Sequence, residues 1–141
     1  MDNPRRDLPV LLLHNLDPAW TGEERSEAEE DVAALGDALK SLGHPVEVAA
    51  VEDARLAKRL AAFDPREHIV FNWCEELPGV PHSEPEVAAV MERLGFVFTG
   101  SSCSVLTLSH DKPRVKRLLD AARLPTPPWA VFHTPKAGDW N

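Results

Sequence analysis

Apolar positions along this chain alternate between two rhythms. Residues 8–15 (LPVLLLHN) form a nearly unbroken apolar run of strand length, as expected where both faces are buried. The acidic stretch LDPAWTGEERSEAEED follows, a loop that turns into a helix. Ala28, Val32, Leu35, Leu39 and Leu42 then recur at steps of four and three, which places them on one helical face. Residues 45–52 (PVEVAAVE) read as a second strand, and Leu56, Leu60 and Phe63 give a short helix its apolar side. A third strand is predicted over 67–75 (EHIVFNWCE), a helix over PEVAAVMERLG, and a fourth strand over 96–101 (FVFTGS). Two helical pieces come next, then LPTPPW with three prolines, and a fifth strand at 129–133.

Local signals sharpen several boundaries. Thr21 followed by Glu24 has the spacing of a capping box, which satisfies two otherwise unpaired backbone donors, and Ser83 with Glu86 repeats it. Glu23, Glu24 and Glu27 sit where the helix dipole favours negative charge. Gly43 stops the first long helix, and Pro45 prevents its continuation. The β-α-β-α-β-α-β-α order predicts a three-layer α/β fold with a mostly parallel four-stranded sheet, right-handed crossovers and helices on both faces. Ligands of such sheets gather at the carboxyl ends of the strands. Those ends are His14-Asn15, Asn72-Trp73-Cys74-Glu75 and Thr99-Gly100-Ser101-Ser102.

Composition narrows the function classes. A chain of 141 residues with 43% hydrophobic content suits one folded domain. No apolar run approaches the roughly 20 residues that span a bilayer, and the N-terminus lacks a signal-peptide pattern. Two cysteines, Cys74 and Cys103, make a disulfide framework improbable. The net charge of -8 argues against general nucleic-acid binding. A cytoplasmic protein with no membrane or nucleic-acid partner is expected. No CxxC, HxxxH or HExxH spacing appears, so no metal site is expected, and GSSCS lacks the nucleophile elbow, so no catalytic residue is assigned.

The candidate chemistry lies on the predicted rim. TGSS allows close backbone approach and free N–H groups for an anion, although Ser101 or Ser102 capping the next helix explains it as simply. A buried Asn72 needs a partner, either backbone or ligand. Glu75 and Glu76 have the chemistry of general bases and equally that of solvated carboxylates. Lys112, Arg114, Lys116 and Arg117 make one basic helix whose apolar side is Val115, Leu118, Leu119 and Ala122, so its charges are accounted for by a solvated face. Lys112 differs because Pro113 pushes it to a helix entrance or bend, free to reach a phosphate.

The run from VFNWCEE through EPEVAAVMERLGFVFTGSSCSVLTLSHDKPRVKRLLDAARLPTPPW resembles the D-alanine–D-alanine ligase-like branch of the ATP-grasp enzymes. The D-K-x-x-x-K helix followed by L-P-T-P is its more specific part. The resemblance implies a Rossmann-like domain preceding the ATP-grasp fold over 1–124, with a hinge and the start of the next domain over 125–141. It implies carboxylate–amine ligation with ATP and Mg²⁺ in the full-length enzyme and a small amino-acid or peptide substrate; a homodimer is one option for an oligomeric state that the sequence leaves open. Lys112 maps to the nucleotide-contacting lysine, while Asn72, Glu75, Thr99 and Ser101 map to the substrate side. The chain departs from the family in HNLDPAWTGEE, where a Gly-rich loop is usual, which puts D-alanine itself in question, and in Pro113. It ends at HTPKAGDWN, where the metal- and adenine-binding domain is expected to begin. These residues alone are therefore expected neither to be a competent ligase nor to hold ATP and Mg²⁺ tightly, the missing domain being a partner in cis or trans. A stand-alone α/β module for a small ligand or partner is the alternative. A receiver-like module is weaker, since Asn15 and Asp17 make no convincing acidic cluster.

Overall fold

The structure, a computed structural model, describes residues 8–132. It divides into two compact units, Met1–Leu106 and Thr107–Asn141. In the first, β1 (Val10–Asn15), β2 (Val46–Val51), β3 (Ile69–Trp73) and β4 (Val97–Phe98) form one parallel sheet in the order β2-β1-β3-β4. β1 is central. Its Leu12 is aligned with Val48 on one side and with Phe71 on the other.

Strand side chains alternate between faces, and the two faces are covered differently. Leu11, Leu13 and Val70 point to the side of α2 (Leu56–Leu60) and α3 (Glu84–Leu94), where they join Leu56, Leu60, Val87 and Met91 in the main core. Burying each such side chain contributes about 1.5–3 kcal/mol relative to leaving it in water. On the opposite face lies α1 (Gly22–Ser41), whose backbone comes so near that a β-carbon on Gly36 would meet Leu12 Cδ2 at 4.0 Å. This is the expected three-layer α/β arrangement. Among the described residues no helix is long and apolar enough to cross a membrane.

The first capping box is present. Glu24 N–H donates to Thr21 Oγ1 (3.3 Å), and Thr21 N–H donates back to Glu24 Oε2 (2.7 Å). The second is not. The Ser83 side chain makes no cap bond, because it is buried and engaged elsewhere: Oγ accepts from Leu77 N–H (2.7 Å) and donates to Val80 O (2.5 Å).

The strands are shorter than their apolar patterns. β3 starts at Ile69 because His68 N–H bonds back to Asp64 O (3.2 Å) in a turn. It stops at Trp73 because the Asn72 side chain takes the Cys74 N–H (3.2 Å) that would otherwise continue the ladder. β4 is limited to Val97–Phe98, since Phe96 N–H still closes α3 on Met91 O (3.0 Å) and Gly100, at φ 111°, turns the chain away. The fifth strand is absent over 129–132, and His133 lies outside the described residues. The prolines at 125, 127 and 128 bring no N–H donors, and Trp129 Nε1 is bound to Asp120 Oδ2 at 3.0 Å.

The second unit contains α5 (Lys112–Ala121), capped by Asp111, whose side chain accepts from Arg114 N–H at 3.0 Å. Lys112 therefore stands at the helix entrance, as Pro113 requires, and it is exposed. Past the helix, Lys116 Nζ donates to Thr126 Oγ1, which with the Trp129–Asp120 bond draws the L-P-T-P segment along α5. Val131 and Phe132 remain exposed.

One histidine ties β2 to the segment before β3. His68 Nε2 meets Glu47 Oε1 at 3.2 Å, Nδ1 meets Asp64 O at 3.1 Å, and the ring stands edge-on to Phe63. Burial opposes its charge, but the Asp64 carbonyl and the Glu47 carboxylate outweigh it and raise the pKa above the ordinary histidine value. The stabilisation is thus complete below the unfolded-state pKa of about 6.5 and is lost as pH rises through the folded one. We expect wild type to lose a few tenths of a kcal/mol relative to His68→Gln between about pH 6 and 8, as judged by urea unfolding of both proteins. Parallel stability curves would show that the pair carries no net charge coupling.

Candidate functional site

The loop sequence and the strand ends converge on one concavity. Where β1 and β3 stop, at the point where the strand order reverses, a cavity of about 240 Å³ opens on the α1 side of the sheet. Its wall includes His14 and Asn15 from β1, Trp73 with Glu75 and Glu76 from the end of β3, and Trp20 from the loop before α1. Asp17 and Asp31 add two more carboxylates, and among the described residues neither Lys nor Arg is in the wall.

Asn15 organises this rim. The β1–β3 register ends at His14 and Trp73, and the Asn15 side chain carries the pairing further. Its Oδ1 accepts from Glu75 N–H (2.7 Å), and its Nδ2 donates to Glu76 O. Glu75 and Glu76 then separate in role. The Glu76 carboxylate accepts from His82 N–H (3.3 Å), holding the following loop, whereas the Glu75 carboxylate has no hydrogen-bond partner among the described residues. The loop before α1 is held as well. Asp17 Oδ1 accepts from Ala19 N–H (2.8 Å), and Arg25 Nη1 donates to Asp17 O (3.2 Å) while its Nη2 lies 3.7 Å from Glu52 Oε1.

His14 is 5% exposed. Its Nδ1 lies 2.9 Å from Asn15 O, and a carbonyl only accepts, so Nδ1 carries the proton. Burial is the largest influence on the ring and pushes its pKa below the ordinary histidine value, so the neutral form is held. Nε2 is then a lone-pair acceptor, with no partner among the described residues. Cys74 is a different case. Burial first, then Glu75 and Glu76, pushes its thiol up to about 12, so it is no nucleophile at neutral pH.

The sequence-selected residues separate in space. Glu75 reaches the cavity. Asn72 and Thr99 instead meet each other at the β3–β4 seam, where Asn72 N–H donates to Thr99 Oγ1 at 3.0 Å. Asn72 is half-buried, and its side chain has a backbone partner, the Cys74 N–H. Ser101 is exposed beside Ser102, whose Oγ accepts from Val105 N–H (3.4 Å) at the start of α4 (Cys103–His110). Lys112 belongs to the second unit. Trp20 and Asp31 were missed by sequence reading. The one available signal was a tryptophan set in an otherwise acidic loop at a strand's carboxyl end.

Comparison with known proteins found no matching family model. The chain is 34% identical over 109 residues to a D-alanine–D-alanine ligase of Moorella thermoacetica, covering 77% of this chain and 33% of that protein. It is 31% identical over 121 residues to a D-alanine–D-alanine ligase of Haemophilus ducreyi, covering 86% of this chain and 38% of that protein. The chain therefore spans about a third of the length of the curated relatives it matches. The resemblance read from its motifs is borne out at this level.

Proposed function

We propose that this chain, D-alanine–D-alanine ligase-like in sequence, is the N-terminal, substrate-side part of an ATP-grasp carboxylate–amine ligase. The observation that carries the reading is the position of the cavity, at the carboxyl ends of β1 and β3 where the strand order reverses. In such ligases ATP with Mg²⁺ activates a carboxylate, and an amine displaces the phosphate. The cavity wall suits the amine partner. Four carboxylates with no cation among the described lining residues do not fit a polyphosphate, so no step through the nucleotide falls to these residues. Their work is to hold and orient the amine, with Glu75 in the wall and Asn15 fixing the Glu75 backbone. In this proposal Lys112 meets the nucleotide from the second unit, Thr99 and Ser101 border the substrate side, and residues 125–141 are the hinge and the start of the ATP-grasp domain.

A stand-alone binding module is the second reading, favoured by the core that the first unit closes around Leu11, Leu13 and Met91 on its own. Assaying amine-dependent ADP release separates the two. The product of the whole reading frame is expected to release ADP when supplied with an amine and a carboxylate. The 141-residue chain is expected to release none. A reading frame that encodes no ATP-grasp sequence, with no activity from any supplied partner domain, would overturn the ligase reading.

A further inference from the structure

The volume, charge and aromatic content of the cavity specify its ligand more closely than the ligase reading does. A volume of about 240 Å³ far exceeds the ~10–15 Å³ that one water needs, and falls just below the ~300–1,000 Å³ typical of drug-sized ligands. The wall combines two indoles, Trp20 and Trp73, with the aliphatic Ala28 and Val32 from α1. Indole rings attract organic cations, and the four carboxylates set the sign of the ligand's charge. His14 supplies an independent constraint. Its ring lines the cavity almost fully buried, and its remaining polar atom, Nε2, is an unpartnered acceptor. An acceptor facing the cavity favours a ligand that brings a hydrogen-bond donor to it, and a primary ammonium brings donor and positive charge together.

We propose that this cavity is a binding site for a primary organic ammonium with an apolar or aromatic body, not for a small α-amino acid. The ammonium donates to His14 Nε2 and to the carboxylates near Glu75, while the body rests against Trp20 and Trp73. An α-amino acid as small as alanine fits badly on two counts. Its methyl group leaves the indoles uncovered, and its carboxylate enters a wall that already holds four acids. The inference rests on the substrate-side reading for its biological meaning, but it concerns binding and requires no turnover.

Isothermal titration calorimetry on the 141-residue chain tests it with benzylamine, benzyl alcohol, benzyltrimethylammonium and D-alanine. Benzylamine is expected to saturate one site. Benzyl alcohol, which lacks the charge, and benzyltrimethylammonium, which lacks the N–H, are each expected to bind at least about ten-fold more weakly. D-alanine is expected to bind more weakly than benzylamine. Trp20→Ala and Glu75→Gln, each checked for a native circular dichroism spectrum, are expected to weaken benzylamine by about ten-fold, while Trp129→Phe leaves it unchanged. The proposal falls if benzylamine does not saturate, if benzyl alcohol matches it, if D-alanine binds more tightly, or if both cavity variants bind normally while folded. Saturation by benzylamine with no ligase activity from the whole reading frame would overturn the ligase reading and keep this site. Ligase activity without benzylamine binding would do the reverse.

Discussion

Ser83→Ala is expected to lower the unfolding free energy by about 2–4 kcal/mol, because the hydroxyl serves two backbone groups at once. Ser83 is 1% exposed, and its Oγ both accepts from Leu77 N–H and donates to Val80 O. That loop already turns tightly, with Val80 N–H on Leu77 O (2.9 Å) and Gly79 at φ 75°. It also seats Leu77 in the core. Alanine leaves the Leu77 N–H unpaired where water reaches poorly, a penalty of roughly 1–3 kcal/mol for each such group. Urea unfolding of the variant measures the loss. Glu86→Ala is the informative control, because the Ser83–Glu86 capping box does not form, and a change within about 0.5 kcal/mol is expected. If Glu86→Ala costs as much as Ser83→Ala, the serine acts as a cap and the loop account is wrong.

Asn15→Ala is expected to cost about 1–3 kcal/mol and to weaken benzylamine binding. The side chain bridges strand ends 60 positions apart, holding Glu75 N–H and Glu76 O together. Without it the two carboxylates leave the geometry in which they line the cavity. Asn15→Asp separates the two halves of the clamp. Aspartate still accepts from Glu75 N–H but has no N–H for Glu76 O and sets a negative charge against that carbonyl. Its stability is expected to fall between wild type and Asn15→Ala when the three are unfolded in parallel. An Asn15→Asp protein as stable as wild type would show that the bond to Glu76 O carries no weight.

How much of this was legible in the sequence depended on distance along the chain. The apolar run of β1, the Thr21–Glu24 box and the Gly43 stop are local, and each appears where its own neighbours dictate. The four-stranded parallel layout followed from the alternation of those local elements. What failed was decided by partners further away. Ser83 and Glu86 have the spacing of a box, yet Leu77 and Val80 claim the hydroxyl, because a buried donor and acceptor outweigh an exposed cap. The pattern of residues 96–101 is apolar enough for a strand, but Gly100 and the close of α3 leave two residues to pair. At the site, Glu75 was recognisable as a polar strand end. The Asn15 clamp and the neutral His14 acceptor depend on contacts that no sequence window contains.

The brevity of β4 has a kinetic side. β1 is zipped along both edges over most of its length, whereas β4 is held to β3 at Val97 and Phe98, with one more bond from Thr99 N–H to Val70 O at 2.9 Å. Local opening follows the number of cooperative contacts, so amide exchange at β4 proceeds through a cheaper fluctuation than exchange at β1. The cavity draws its wall from β1, from the end of β3 and from α1, with nothing from β4. The polypeptide can therefore fray at its last strand while the amine pocket keeps its shape. That cheaper opening belongs to the sheet edge, away from the strand ends that line the cavity.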